Sequence, residues 1–217
     1  MSWDLQSGAP SSEADPAAGG PGEADLAELA RARGATLLDA LEDHRRGSRA
    51  HAEATASYAF AAAVELGFER EHADAVRETA RLHEVGMIYV PTAVLAAGPE
   101  QRSAEDAALI GAHPGYGAEL ALGAGVPQGI CAWIRATAER FDGRGPAGLA
   151  GERIPLESRI VRVACACDSA LTTPQAATSP AEHRAAAFEA LRTASGRELD
   201  SRVVEALAGM LDRVTRG

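Results

Sequence analysis

Residues 48–66 run SRAHAEATASYAFAAAVEL, and this stretch decides the fold. Alanine is the strongest intrinsic helix former and is depleted from strands. Ala54, Tyr58 and Ala62 recur at helical offsets, and His51 falls on the same stripe, which turns its imidazole toward an apolar interior. The charge-free part, Ala54 to Val64, covers 11 residues, well short of the roughly 20 that span a bilayer.

The same bias extends over the whole chain of 217 residues, 49 of them Ala, so about half of the 46% apolar share consists of methyl groups. This composition predicts an all-α protein with closely packed helices. Apolar periodicity places helices near 25–45, 48–66, 69–84, 103–112, 114–122, 127–139, 156–172, 179–194 and 200–215. Ser179-Pro180-Ala181-Glu182 is an N-cap with proline in the first turn, and Pro155 opens its helix the same way. Residues 1–24 are rich in Ser, Gly, Pro and acids without a base, which predicts a disordered acidic tail ahead of one helical domain over 25–217.

Charge and missing residue types exclude several functions. There is no Lys, so lysine chemistry is excluded, and the net charge of −10 opposes non-specific nucleic-acid binding. The three cysteines, Cys131, Cys165 and Cys167, form neither an even disulfide set nor a CxxC pair, as expected in a reducing cytoplasm. No signal peptide or membrane span is expected. A serine-hydrolase elbow and a phosphate-binding P-loop are also missing.

Chemistry concentrates in three places. Leu82-His83-Glu84-Val85-Gly86 sets an imidazole beside a carboxylate at a helix end, both ordinary metal ligands. His113-Pro114-Gly115 puts another histidine at a helix junction. Between Arg140 and Pro155 lies the one long irregular segment, either functional or loose. His44, His72 and His183 sit among charged residues at helix ends and read as solvated.

In order and spacing these segments resemble the HD-GYP family, the cyclic di-GMP phosphodiesterase branch of the HD superfamily of metal-dependent phosphohydrolases. The family runs from a first His through His-Asp-x-Gly-Lys, His-Pro and His-His-Glu-x-x-Asp-Gly-x-Gly-Tyr-Pro to Ile-Pro, Arg-Ile and Val-Ala-Asp. Here the counterparts are His51, then His83-Glu84-Val85-Gly86-Met87, His113-Pro114, and Glu139 through Asp142, Gly143, Arg144, Gly145 and Pro146. Ile154-Pro155, Arg159-Ile160 and Val163-Ala164-Cys165 follow. The resemblance spans about His51 to Ala206 and implies the family's helical bundle.

The departures fall on the chemistry. Glu84 stands for the metal-bridging Asp, Met87 for the phosphate-binding Lys, Thr137 and Ala138 for the His pair, and Cys165 for the last metal-binding Asp. The Tyr of the GYP motif is absent, and Thr173-Pro174-Gln175 replaces a phosphate-holding Arg-Pro-Tyr. Family enzymes assemble two or three metals. The resemblance then implies one divalent ion, zinc, iron or manganese, held by His51, His83, Glu84 and His113, in place of a binuclear centre. Cys165 reads either as a small core residue or as a fifth ligand suited to zinc. Glu139, Asp142, Gly143, Arg144, Gly145 and Pro146 form a substrate or partner loop.

Two functions follow. One is a degenerate signalling or protein-interaction domain with lost or weak cyclic di-GMP hydrolysis. Its partners would be other signalling proteins, such as cyclic di-GMP-synthesising domains, or a second copy of the chain. The other is an active single-metal phosphohydrolase on a cyclic dinucleotide or another phosphorylated substrate.

Overall fold

The computed structural model describes residues 22–173 and 179–216; of the segment read as an acidic tail, residues 1–21 lie outside them while Glu23 and Ala24 already belong to the first helix, and most of Thr173-Pro174-Gln175 also lies outside. Helices α1 (Glu23–His44), α2 (Ser48–Glu65) and α3 (Arg70–Leu82) come first, followed by a 3₁₀ turn over Val85–Tyr89. Next are α4 (Thr92–Ala96), α5 (Ala104–Gly111), α6 (His113–Gly123) and α7 (Gln128–Arg135). The bundle closes with α8 (Leu156–Thr172), α9 (Pro180–Ala194) and α10 (Ser201–Arg216). No strand occurs among the described residues, so the all-α expectation holds.

Two apolar cores meet across α2 and α3. One joins these helices to α8, α9 and α10 through Ala56, Ala59, Val76, Ile160, Val163 and Leu207. The other joins them to α1, α6 and α7 through Leu41, Ala52, Leu82, Val85, Ile130 and Ile134. Alanine on α2 lets neighbouring helices approach closely, and His51 lies on α2 and His83 at the end of α3, the two helices both cores share.

A buried ion network also crosses this region. Glu78, 1% exposed, accepts hydrogen bonds from Arg81 at 2.6 Å and Arg31 at 3.3 Å. Arg81 also donates through Nε and Nη2 to Glu53. A buried carboxylate is costly unless fully partnered, and these bonds tie Glu78 of α3 to α1 through Arg31 and, by way of Arg81, to Glu53 of α2.

Two element boundaries differ from the periodicity. Helix α4 is not among the periodic segments, because its five residues, Thr92–Ala96, are too few to show a period. Helix α7 stops at Arg135, not near 139. The N–H groups of Ala136 and Thr137 turn back to the carbonyls of Trp133 and Ile134, and the Thr137 hydroxyl donates to Ile134 at 2.8 Å. That early stop frees residues 136–139 from helical geometry.

The irregular segment is anchored. Asp142 N–H donates to the Arg197 carbonyl at 2.7 Å and Gly151 N–H to Phe141 at 2.9 Å. Glu139, buried, accepts from the backbone N–H groups of Ala147 at 2.6 Å and Leu149 at 3.0 Å. Gly145 closes against it: a Cβ there would lie 2.6 Å from Glu139 Oε2 and 2.7 Å from the Arg140 nitrogen. The three histidines read as solvated are each half-buried and bonded. His44 Nε2 meets the Val90 carbonyl at 2.8 Å, His72 Nε2 meets Glu157 at 2.9 Å, and His183 Nε2 meets the Leu171 carbonyl at 2.8 Å.

Candidate metal centre

His51, His83 and Cys165 come together from α2, the end of α3 and α8, with ligand atoms all within 4.8 Å of one another. The His51 and His83 ring centroids are 5.3 Å apart. His83 Nδ1 sits 2.7 Å from the Ala80 carbonyl, and His113 Nδ1 sits 2.7 Å from the Ile110 carbonyl. A carbonyl only accepts, so each Nδ1 carries the hydrogen and a neutral ring presents its lone pair at Nε2. His83 Nε2 is buried without a hydrogen-bond partner. That orphaned lone pair, 4% exposure notwithstanding, is a donor atom arranged as a metal ligand needs it.

His51 is oriented from behind. Its Nδ1 donates to the buried Asp168 carboxylate at 2.6 Å, while Nε2 faces Cys165 Sγ at 3.6 Å and Glu84 Oε2 at 3.9 Å. This carboxylate–imidazole arrangement fixes the tautomer and raises the basicity of Nε2. Glu84 in turn receives Arg45 Nη1 at 3.0 Å. Thiol and imidazole form a donor set that suits zinc better than manganese.

The electrostatics of the cluster centre on the Glu84 carboxylate. Burial pushes Glu84 up, but His83, Arg45, His51 and His113 together hold its carboxyl below the ordinary range. Burial also depresses His113, against the Ile110 contact and Glu84, which keeps that imidazole neutral. For His51 burial is outweighed by Cys165 and Glu84, so its value is raised.

A cavity of about 340 Å³ opens on this cluster, lined by His83, Glu84, His113, Thr137, Ala138 and Cys165 among others. An adjoining open cleft is lined by His51, Glu84 and Asp168. The loop called from sequence stands apart: Glu139 and Pro146 border a separate hollow beside Tyr116 and Arg135. Asp142 pairs with Arg140 at 2.7 Å and accepts the Arg144 N–H at 3.2 Å.

The profile of the HD domain matches residues 35–203. The chain belongs to the HD-domain family. It is 34% identical over 175 residues to the cyclic di-GMP phosphodiesterase response regulator RpfG of Xanthomonas campestris, covering 79% of this chain and 45% of that protein. To the 3′3′-cGAMP-specific phosphodiesterase 2 of Vibrio cholerae it is 30% identical over 148 residues, 67% of this chain and 28% of that one. This HD domain thus spans less than half the length of either relative. An HDG"Y"P protein from Bdellovibrio bacteriovorus shares the fold, with a TM-score of 0.64 at 20% identity over 88% of this chain and 69% of the other. No helix among the described residues is long and apolar enough to cross a membrane.

Three neighbours of the cluster escaped the sequence reading. Asp168 and Arg162 lie one turn either side of Cys165 on α8; the 3.6-residue repeat puts Asp168 there but does not show its bond to His51, and the same repeat could have flagged Arg162. Arg45 carried no local signal, since its approach to Glu84 depends on how α1 ends against the α3 turn.

Proposed function

We propose that this HD domain holds one divalent ion and does not linearise cyclic di-GMP at an enzymatic rate, serving as a signalling module of the cyclic dinucleotide branch. One observation carries the reading: the cavity wall beside His83 and His113 is built by Thr137 and Ala138, where the family resemblance calls for two histidines. Thr137 has its hydroxyl hydrogen engaged by Ile134, and Ala138 offers no donor atom. Met87, at the position of the phosphate-binding lysine, is buried and apolar.

His51, His83 and Cys165 would hold the ion, with Glu84 and His113 beside them. A divalent ion, when bound, supplies Lewis acidity toward a phosphoryl oxygen. Asp168 holds His51 in the ligating tautomer, Arg45 keeps Glu84 ionised, and the Ala80 and Ile110 carbonyls orient the other two rings. The cavity of about 340 Å³ that opens on the cluster favours a second reading, an active single-ion phosphohydrolase on another phosphorylated substrate.

The test is turnover of cyclic di-GMP by the full chain with manganese or iron added, alongside elemental analysis. We expect about one equivalent of metal and turnover far below ~1 per second. Turnover near that value, or two ions per chain, overturns the reading.

A further inference from the structure

Arg162 lines the same cavity as His83, Glu84, His113 and Cys165, and it falls between the Arg159-Ile160 and Val163-Ala164-Cys165 motifs, in neither of them. Helix α8 presents Arg162, Cys165, Ala166 and Ala170 to the cavity, at offsets that share one helical face. The guanidinium is poorly compensated. Its Nε–H donates to the Glu198 carbonyl at 3.2 Å, but the nearest carboxylate oxygen, Glu198 Oε2, is 4.0 Å away, beyond hydrogen-bond range. Glu198 sits closer to Arg140, at 3.0 Å, so two guanidinium groups share one carboxylate. Among the described residues, the Nη groups of Arg162 have no hydrogen-bonded partner. Burial depresses its value against the attraction of Glu198, as expected for a cation with unspent interaction capacity.

Beyond Arg162, the His83, Glu84, His113 and Cys165 cluster and Glu198, the cavity presents a different kind of surface. Ala166, Ala170, Ala190, Leu191 and Ala194 give it an apolar wall. Its volume, about 340 Å³, lies at the small end of ligand pockets, which run from ~300 to ~1,000 Å³.

We propose that Arg162 is the anion anchor of this cavity, gripping the phosphate of a compact phosphomonoester of mononucleotide size whose apolar body rests on the α8–α9 alanine wall. The choice of phosphate over carboxylate rests on the single-ion reading above, because an ion at His83 and Cys165 would attract further oxygens of the same group. The grip itself needs only the guanidinium fork, which matches a phosphate through two parallel N–H donors.

The experiment is calorimetric titration of the full chain with 5′-AMP, inorganic phosphate and acetate at fixed ionic strength, for wild type, R162A and R162K, with elemental analysis of each. Wild type should bind AMP and phosphate more tightly than acetate. R162A should weaken AMP at least tenfold, R162K should fall between, and metal content should stay constant. An R162A affinity within twofold of wild type, acetate bound as tightly as phosphate, or no AMP binding by wild type overturns the proposal. Should R162A fail to fold, E198Q decides: removing the competing carboxylate should tighten AMP, and an unchanged affinity refutes the anchor. Wild type that binds AMP through Arg162 without containing metal sinks the single-ion reading and leaves the anchor standing; metal without AMP binding does the reverse.

Discussion

Replacing Gly86 by alanine tests how the candidate site is assembled. Gly86 lies two residues after Glu84, where the 3₁₀ turn crosses the start of α6. A Cβ there would sit 1.9 Å from the His113 carbonyl oxygen and 2.5 Å from the Gly117 nitrogen. Both are backbone atoms of a helix and cannot rotate aside. Its φ is not positive, so the penalty is purely one of space. A tolerable carbon–oxygen contact is about 3.3 Å, so the turn and α6 must separate by roughly 1.4 Å, drawing His83 and Glu84 away from His113. Overpacking typically costs about 1–3 kcal/mol, and a clash with fixed backbone belongs at the top of that range. At about 2–4 °C per kcal/mol for a domain of this size, Gly86→Ala should lower the thermal midpoint by roughly 6–12 °C. Two controls grade the effect. At Gly117 the nearest atom to a new Cβ is the Gly86 nitrogen at 3.1 Å, and at Gly111, the last residue of α5, nothing lies within 4 Å. Gly117→Ala should cost less than Gly86→Ala, and Gly111→Ala should stabilise by roughly 0.5–1 kcal/mol through backbone entropy. Differential scanning calorimetry of the three variants reads the order directly. If Gly86→Ala melts within about 1 °C of wild type, the close crossing of the turn and α6 is not what positions His83 against His113.

The remaining predictions concern the metal, the loop and acid. His83→Ala should abolish bound metal in elemental analysis, and zinc should protect Cys165, the half-exposed thiol, from alkylation while Cys131 and Cys167 stay buried and unreactive; unchanged stoichiometry or equal labelling with and without zinc would contradict the ligand assignment. Glu139→Ala leaves the Ala147 and Leu149 N–H groups without their carboxylate and should cost roughly 2–3 kcal/mol, with faster hydrogen exchange at those two amides; unaltered exchange would mean the loop is held by its other bonds. Arg140, against the opposing effect of desolvation and with help from the Arg144 N–H, holds the Asp142 carboxyl down at about 2, below the ordinary value of about 3.9. Its folded value is depressed, so the stability it contributes is present above pH ~4 and lost as pH falls toward 2. Asp142→Asn should therefore be destabilising at pH 6 and converge with wild type near pH 2 in denaturant titrations; a pH-independent gap would refute the pairing.

The family and its helical architecture were legible without coordinates because they rest on local information. Alanine-rich runs, caps such as Ser179 and the order of His51, His83, His113 and Ile154-Pro155 are properties of neighbouring residues, and they survive any uncertainty in packing. Cys165 shows where that reading stops. From periodicity alone it could be placed on the face opposite Cys167, where a small core thiol was the commoner reading and a ligand the other; the packing of α2 against α8 sets His51 3.6 Å from its sulfur. The end of α7 is similar: residues 136–138 have helical composition, and it is the turn back onto Trp133 and Ile134 that delivers Thr137 and Ala138 to the cavity wall. Thus the sequence by itself determined an HD-type helical bundle and the motif-bearing part of its pocket wall, His83, Glu84, His113, Thr137, Ala138 and Cys165, since composition and motif order act over a few turns of chain. Only the tertiary structure decided that Asp168 backs His51, that Arg45 compensates Glu84, that Glu139 is consumed by its own loop, and that Arg162 faces the cavity with donors unspent. Except for Glu139, whose partners lie in the same loop, each depends on how groups distant in the chain, up to 117 residues apart for His51 and Asp168, neutralise or fail to neutralise one another once helices have packed.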